Sequence, residues 1–443
     1  MWTTALLRAL YDDVLGIWQT TVQRVGGVGN DVPPWYVSAS HQLTKLVARF
    51  NSARGSEADF VAGGGWQGAD FMRLYTNIPH TPLLTKLDWV VDTAWDRHPS
   101  TPVLLVYRDK QVQHEWVTSF DHKHSAQGYT WVGTGLQGVR LGKHKQKGAC
   151  YMFDRAGAKA VLQLLVCNSY VRLGDSVFQQ TVGIPMGINP AVYMANHFLF
   201  SYEVSFVEQL AGLVEAHPPN PDGDTYTEAF FADTSQTPAW VGAHVPPHRL
   251  GDVARYVWRC FRFTARFVDD FTSGPNRLLP FLWYDSQSIA GGAITGIYPG
   301  PEVLELARVP GDIWGYPTLD IRIVSQVVAG RVSSTTHLYD KRRESCYDDI
   351  SVTGYVHVTS AVSARVGPNV LHGQLFRFST IILDRSNFVE EAARCIVNLE
   401  KRGHVRSSLF KVLRRFLSRH FDTYGDISMD PLWNDVVAAV RDS

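Results

Sequence analysis

Cysteine is scarce and never paired. The five cysteines, Cys150, Cys167, Cys260, Cys346 and Cys395, lie far apart, are odd in number and form no Cys-x-x-Cys motif. They argue against a disulfide framework and a structural zinc site, and they fit a reducing compartment. An excess of either charge is also missing, because 42 Lys and Arg balance 42 Asp and Glu. Any surface for a polyanion must therefore be a local basic face offset by acidic stretches elsewhere. No apolar run is long enough to span a bilayer, and Arg8, Asp12 and Asp13 break an opening stretch that has no signal-peptide pattern. The expectation is an intracellular protein, in nucleus or cytoplasm, neither secreted nor membrane-bound.

What is present is ordinary folded-protein composition, 45% apolar and 12% aromatic, in a chain long enough for two or three cores. Apolar spacing predicts helices over Trp2 to Val25, His41 to Phe50, Leu87 to Ala94 and Ala156 to Cys167, and a buried strand over Val103 to Tyr107. A hairpin is predicted from Tyr170 to Phe178, turning at Gly174-Asp175. The unusual stretch is Phe263 to Gly274, FTARFVDDFTSG, where Asp269 and Asp270 interrupt an apolar, aromatic run. Ionised carboxylates in such a run need a cation or a turn, so a hairpin tip and a metal site both remain open.

Two other stretches carry pattern. In Ala69 to Leu84, ADFMRLYTNIPHTPLL, Asp70 stands in a short alternating segment, Tyr75 lies five residues on, and Asn77 and Pro79 signal a turn before a helix. In Gln179 to Tyr202, QQTVGIPMGINPAVYMANHFLFSY, Gly183, Pro185 and Gly187 form a loop. Asn189 and Pro190 then suit the cap and first position of a helix burying Ala195, Phe198, Leu199, Tyr202 and Phe206. Taken singly, each stretch is an ordinary junction. In order, with Phe-Val-Asp-Asp following, they resemble motifs A, B and C of reverse transcriptases, particularly those of Penelope-like retroelements.

The resemblance implies an α+β right-hand polymerase: a palm of antiparallel sheet with packed helices, partial fingers and a helical, thumb-like C-terminal region. It divides the chain into an N-terminal helical segment (1–62), palm and fingers (63–330) and the thumb-like part (331–443). It implies an RNA-directed DNA polymerase extending a DNA primer on an RNA template with dNTPs. Asp70, Asp269 and Asp270 would hold Mg²⁺ or Mn²⁺. Hard divalent ions take carboxylate oxygens and keep several waters, so a few aspartates plus substrate phosphates suffice. Phe71, Tyr75, Gln180, Gly183, Pro185, Met186 and Gly187 would contact the nucleotide, with Tyr75 obstructing a 2′-hydroxyl. HLYDKRR, from His337 to Arg343, matches a recurring family stretch at the start of the thumb-like region. Beyond it, Gly403 to His420 carries an apolar stripe, Val405, Leu409, Val412, Leu413, Phe416 and Leu417. Arg406, Lys411, Arg414, Arg415 and Arg419 surround that stripe, and they suit a duplex backbone as well as a solvated face.

Several departures accompany the likeness. Basic fingers motifs and the GIY-YIG endonuclease of many Penelope-like elements are not found, so either the fingers are degenerate or the chain is a fragment of a longer element. Gly63 to Gly68 replaces the apolar strand start usual before motif A; Leu304 to Ile323 resembles the family's segment ending in a Leu-Asp strand, here Leu319-Asp320, with Arg308 where the family often has lysine. Residues 217–252 read as an acidic loop insertion, and residues 140–147 as a basic loop. His114, His122 and His124 lie close together without a third ligand at a recognised spacing, which favours a solvated strand or loop over a metal site. A telomerase-like enzyme and an inactive or domesticated nucleic-acid-binding relic are the alternative readings.

Overall fold

The computed structural model describes residues 2–26, 32–53, 55–107, 114–118, 129–132, 150–185, 187–309, 311–344, 354–360, 363 and 365–442. In chain order the helices are α1 (Trp2–Val25), α2 (His41–Ala53), α3 (Glu57–Ala62), the single turn α4 (Leu74–Asn77), α5 (His80–Arg97), α6 (Arg155–Cys167), α7 (Ala191–Ala216), α8 (Gly223–Phe230), α9 (Leu250–Phe261), α10 (Val366–Ile381), α11 (Arg385–Lys401), α12 (Arg406–His420) and α13 (Met429–Asp442). The strands are β1 (Gln67–Met72), β2 (Val103–Tyr107), β3 (His114–Val117), β4 (Tyr129–Val132), β5 (Cys150–Phe153), β6 (Tyr170–Leu173), β7 (Ser176–Gln179), β8 (Thr264–Phe267), β9 (Asp270–Ser273), β10 (Ser288–Ile289), β11 (Ile294–Thr295), β12 (Glu305–Val309), β13 (Gly315–Thr318), β14 (Ile321–Val328) and β15 (Arg331–Leu338). The fold mixes helix with mainly antiparallel sheet, β4 and β5 being a parallel pair. Two compact units form, each from three stretches: Met1–Tyr36, Ala69–Arg262 and Arg277–Arg308 in the first, and Val37–Gly68, Phe263–Asn276 and Val309–Ser443 in the second.

The first unit is built around α7. This helix is buried over most of its length, with Met194, Phe198, Leu199, Val204 and Leu210 fully buried, while Ser205, Glu208 and Glu215 mark a narrow exposed strip. Helices α1, α5 and α9 pack against it. Trp18 of α1 meets Phe200 of α7 and Trp258 of α9 at ring separations of 5.7 and 6.1 Å. α1 stops at Gly26, whose φ of 96° supplies the left-handed turn that ends helices. Some polar positions of α7 are also inside: Glu203 is fully buried and accepts the Tyr298 hydroxyl at 2.9 Å. α7 begins at Ala191, one residue later than the sequence predicts, with Pro190 rather than Asn189 at the cap and no side-chain cap bond. Proline has no N–H to satisfy there, and its fixed φ already leads into the helix.

The stretch read as a loop insertion, 217–252, is folded instead. It contains α8 and runs into α9. Asp252 is its anchor: the carboxylate is buried and accepts the Asn220 backbone N–H at 2.7 Å, the Asn220 side chain at 2.9 Å and Arg249 at 3.2 Å. Asp222 and Asp224 pair with Arg249 and Arg259 at 2.7 and 2.8 Å. The acidic residues that looked like solvated punctuation hold the segment's folded form. The predicted hairpin β6–β7 is present, with Gly174 at φ 61°. Both of its strands are exposed throughout, Leu173 at 74% and Val177 at 65%.

In the second unit α10 to α13 share a core with α2 and the antiparallel sheet β13–β14–β15. Leu371, Leu375, Leu409, Leu413 and Phe416 lie at its centre. Leu319 and Asp320 do not form the expected Leu-Asp strand. They are the two-residue turn between β13 and β14, with Leu319 at φ 53°. Asp320 there takes two N–H groups of Arg377 on one oxygen, at 3.0 and 2.6 Å.

His197 gives the first unit a pH dependence. Its ring is buried in α7 and donates to the Leu7 carbonyl of α1 at 2.8 Å, and burial pushes its pKa down to about 4 from 6.5. The folded state holds this imidazole neutral while the unfolded chain protonates it. Its stability is therefore fully present above pH 6.5 and is lost as the pH falls toward 4. Between pH 7.5 and 5 the loss amounts to about 2 kcal/mol. His197→Gln, which keeps a donor without titrating, will flatten the chemical-denaturation profile over that window by this amount. Parallel profiles would show that the neutral imidazole is not the source.

Candidate active site

The three motifs fold into three distinct local structures. Motif A begins on β1. Gly68, the second residue of that strand and, like β9, part of the second unit, lies so close to it that a Cβ would stand 2.1 Å from the Phe271 carbonyl oxygen and 2.2 Å from the Tyr316 hydroxyl. Gly65, at φ 65°, meets the Ile313 carbonyl oxygen at 2.5 Å in the same sense. This close packing explains why Gly63 to Gly68 stands where the family has an apolar strand start. Asp70 follows two residues after Gly68, half-buried on the same strand. Phe71 is buried, edge-on to Tyr298 with ring centres 4.9 Å apart, so its side chain belongs to the first unit's core rather than to an open surface.

Beyond β1 the chain reverses through Arg73, a non-glycine residue at φ 53°, into the single turn α4 that carries Tyr75. Motif B docks on this turn although it lies about a hundred residues away. The Ile184 N–H donates to the Tyr75 carbonyl at 2.6 Å, and the Gly183 N–H to the Ile78 carbonyl at 2.8 Å. The His80 ring donates to the Gly183 carbonyl at 2.9 Å. Gly183, at φ 84°, has no room for a side chain, because a Cβ would sit 2.4 Å from the Tyr75 carbonyl oxygen. Gln180 braces the loop from within, donating to the Val182 carbonyl at 2.9 Å. Pro185 is half-buried, and Gly187, at φ 92°, faces open space. Met186 lies outside the described residues.

Motif C is the hairpin β8–β9, with Phe267 opposite Asp270. Val268 and Asp269 are its two turn residues, so both earlier readings meet here: the aspartates sit at a hairpin tip, half-exposed, where a cation can reach them. Val268 has φ 55°, a conformation that hairpins of this length normally give to Gly or Asn and that a β-branched side chain adopts only under strain. Arg266 is the residue that sequence reading overlooked. Its side chain is fully buried and donates an Nη1 N–H to the Val268 carbonyl at 3.0 Å, bracing the strained turn with a cation three and four residues before the carboxylates. The signal was a third charge in the same apolar run. His80 was missed for a different reason, because its partner is 103 residues away and no local pattern reveals it.

Hard carboxylate oxygens at a half-exposed turn fit a divalent ion. Among the described residues no three His, Cys, Asp or Glu side chains are gathered into a ready-made cage. His114 lies on β3, while His122, His124 and the basic loop 140–147 fall outside the described residues. On α12, Leu409, Leu413, Phe416 and Leu417 are buried as predicted, but Val405 precedes the helix at its cap and is 64% exposed. Arg406 is occupied by a bidentate pair with Glu400, one contact being 2.6 Å. Lys411, Arg414, Arg415 and Arg419 share one exposed stripe at three- and four-residue spacing.

No protein-family model matches the chain, and no curated protein matches it in sequence. Solved structures do match. Telomerase from Candida albicans, solved with the TWJ fragment of telomeric RNA, superposes with a TM-score of 0.52 at 11% identity, over 99% of this chain and 55% of that one. Apo telomerase from Candida tropicalis gives a TM-score of 0.37 at 9% identity, over 97% and 58%. The chain thus spans a little over half the length of these structures. At this identity the likeness is one of fold, which mixes helix and sheet as in the Candida albicans structure. Among the described residues no helix is long and apolar enough to cross a membrane.

The two motif-B glycines separate close approach from backbone strain. Gly183→Ala will lower stability by at least about 2 kcal/mol, since strain and a backbone overlap act together. Gly187→Ala, with the same sign of φ but empty space ahead, will cost roughly 1 kcal/mol. Equal losses in thermal denaturation would show that the loop is not docked as described.

Proposed function

We propose that the chain is the RNA-directed DNA polymerase of a Penelope-like retroelement, extending a primer with dNTPs on an RNA template. The observation that carries this reading is the docking of the motif-B backbone on the Tyr75 turn. Chance resemblance of two short motifs gives no reason for Gly183 to be the one residue type that fits against Tyr75. In the proposed reaction the half-buried Tyr75 ring lies under the incoming sugar and obstructs a 2′-hydroxyl, and the open Gly187 leaves room for a base. Asp70, Asp269 and Asp270 would hold Mg²⁺ or Mn²⁺, which when bound stabilises charge on the attacking and leaving oxygens. No side chain need act as nucleophile, because the primer's 3′-hydroxyl does. The stripe of Lys411, Arg414, Arg415 and Arg419 suits the phosphate backbone of template and primer, independent of sequence.

A telomerase-like polymerase is the second reading, favoured by the fold likeness to the Candida albicans enzyme, which was solved with RNA. The two separate on template use: a retroelement polymerase copies an RNA supplied in trans, a telomerase a short segment of a resident RNA.

Primer extension on an added RNA template tests the proposal. Wild-type protein will extend with dNTPs, and Asp269→Asn/Asp270→Asn will lose several kcal/mol of transition-state stabilisation, about a thousandfold in rate. Tyr75→Val will raise ribonucleotide use relative to deoxynucleotide by about tenfold or more. Wild-type protein that binds primer-template without extending it would leave the relic reading in place.

A further inference from the structure

Arg73 makes the turn between β1 and α4 in a left-handed conformation, φ 53° and ψ 35°. Glycine fills such a position without strain, and a long cationic side chain does not. The backbone is nevertheless fixed there. The Arg73 carbonyl accepts the Thr76 and Asn77 N–H groups at 2.9 and 3.0 Å and the Thr76 hydroxyl at 3.1 Å, and Leu74, next in the chain, is buried. Strain held this firmly at a non-glycine residue points to a use for its side chain.

The fold itself does not employ that side chain. It is exposed, caps no helix N–H, and makes no hydrogen bond or ion pair among the described residues. The other basic groups of residues 69–97 are committed. His80 is bonded to the Gly183 carbonyl at 2.9 Å, and the Lys86 ammonium lies 4.0 Å from the centre of the Tyr202 ring. Arg97 fills the space that a side chain at Gly16 would take, with its Nε 3.8 Å from Asp13. Arg73 is thus the cation of this stretch whose head group is left for a ligand.

Its neighbours give the ligand's chemistry. Asp70, three residues earlier, is the metal ligand of the proposed reaction, and Tyr75, two residues later, supports the sugar; all three belong to the first unit. Strand alternation sends Phe71 into the core and leaves Asp70 and the exposed Met72 on the opposite face, toward which the turn opens the chain. A nucleotide that engages both Asp70, through its ion, and Tyr75 brings a polyphosphate tail to this turn. A guanidinium fork matches phosphate oxygens in pairs. We propose that Arg73 holds the β- and γ-phosphates of the incoming dNTP, so that preference for a triphosphate over a monophosphate depends on this residue. The assignment rests on the polymerase reading, which supplies the roles of Asp70 and Tyr75.

The test titrates the full chain with dATP and with dAMP by calorimetry, in Mg²⁺ with an RNA template and a dideoxy-terminated primer, so that no bond forms. Wild-type protein will bind dATP more tightly than dAMP. Arg73→Gln will weaken dATP by about tenfold or more and dAMP by less than about twofold, the loss expected when charged hydrogen bonds to the outer phosphates are removed. Arg73→Gly, which also relieves the left-handed strain, will show the same loss without a lower melting temperature. Arg172→Gln, at an exposed arginine of the β6–β7 hairpin, will show none. The proposal is overturned if wild-type protein does not prefer dATP, if either Arg73 variant keeps the preference or weakens both nucleotides alike, or if Arg172→Gln reproduces the loss. Extension from an unblocked primer, run beside the titration, separates this outcome from that of the polymerase reading. Arg73→Gln that extends with an unchanged KM for dNTP removes the phosphate contact and leaves the polymerase. Wild-type protein that does not extend but binds dATP through Arg73 removes the polymerase and leaves a triphosphate site.

Discussion

The first unit depends on a backbone-to-backbone contact between the motif-B loop and the turn that follows motif A. Two peptide N–H groups and one imidazole close it, and the absence of a side chain at Gly183 permits it. Because the partners are main-chain atoms, the geometry of Tyr75 does not rest on the choice of neighbouring side chains. It rests on α7, whose start fixes one end of the loop, and on α5, whose first residue is His80. A helix buried over most of its length cannot slide without opening the core, so the loop it launches is held firmly.

The second unit places its charges by a different device. The two aspartates sit at the tip of a two-residue turn that a β-branched residue should disfavour, and a buried arginine braces that turn from beneath. Strain at Val268 and the desolvation of Arg266 both oppose folding locally. Both are tolerable because the strands on either side are buried and in register over four residue pairs. Farther along the chain the same habit recurs, with the carboxylates of Asp340 and Glu391 holding the guanidinium groups of Arg342 and Arg343.

Much of this was legible from the residues. Helix periodicity located α1, α2, α6 and the apolar stripe of α12, and Gly-Asp between alternating strands located β6 and β7. Motif spacing located the Tyr75 turn and the Gly183 loop, though not their contact, since nothing in a local window records a hydrogen bond across 103 residues. Composition misled at 217–252, where prolines, glycines and aspartates imitate a solvated loop while Asp252 is in fact an internal acceptor. It misled again at Leu319 and Asp320, where an apolar-acidic pair that would suit a strand end lies in a turn because the left-handed φ of Leu319 reverses the chain. Charge identity was visible throughout, but charge partnership was not. Arg406 looked as available as Lys411 until Glu400 was found on it.

The β6–β7 hairpin has a practical consequence. Among the described residues it is only two strands wide and pairs with no third strand, and it exposes Val171, Leu173, Val177 and Phe178 to water. Open edges and apolar side chains together make a template on which another copy of the same hairpin can add. Concentrated preparations of the isolated chain will therefore self-associate first at this hairpin, and sample handling has to reckon with a sticky finger that the compact cores do nothing to cover.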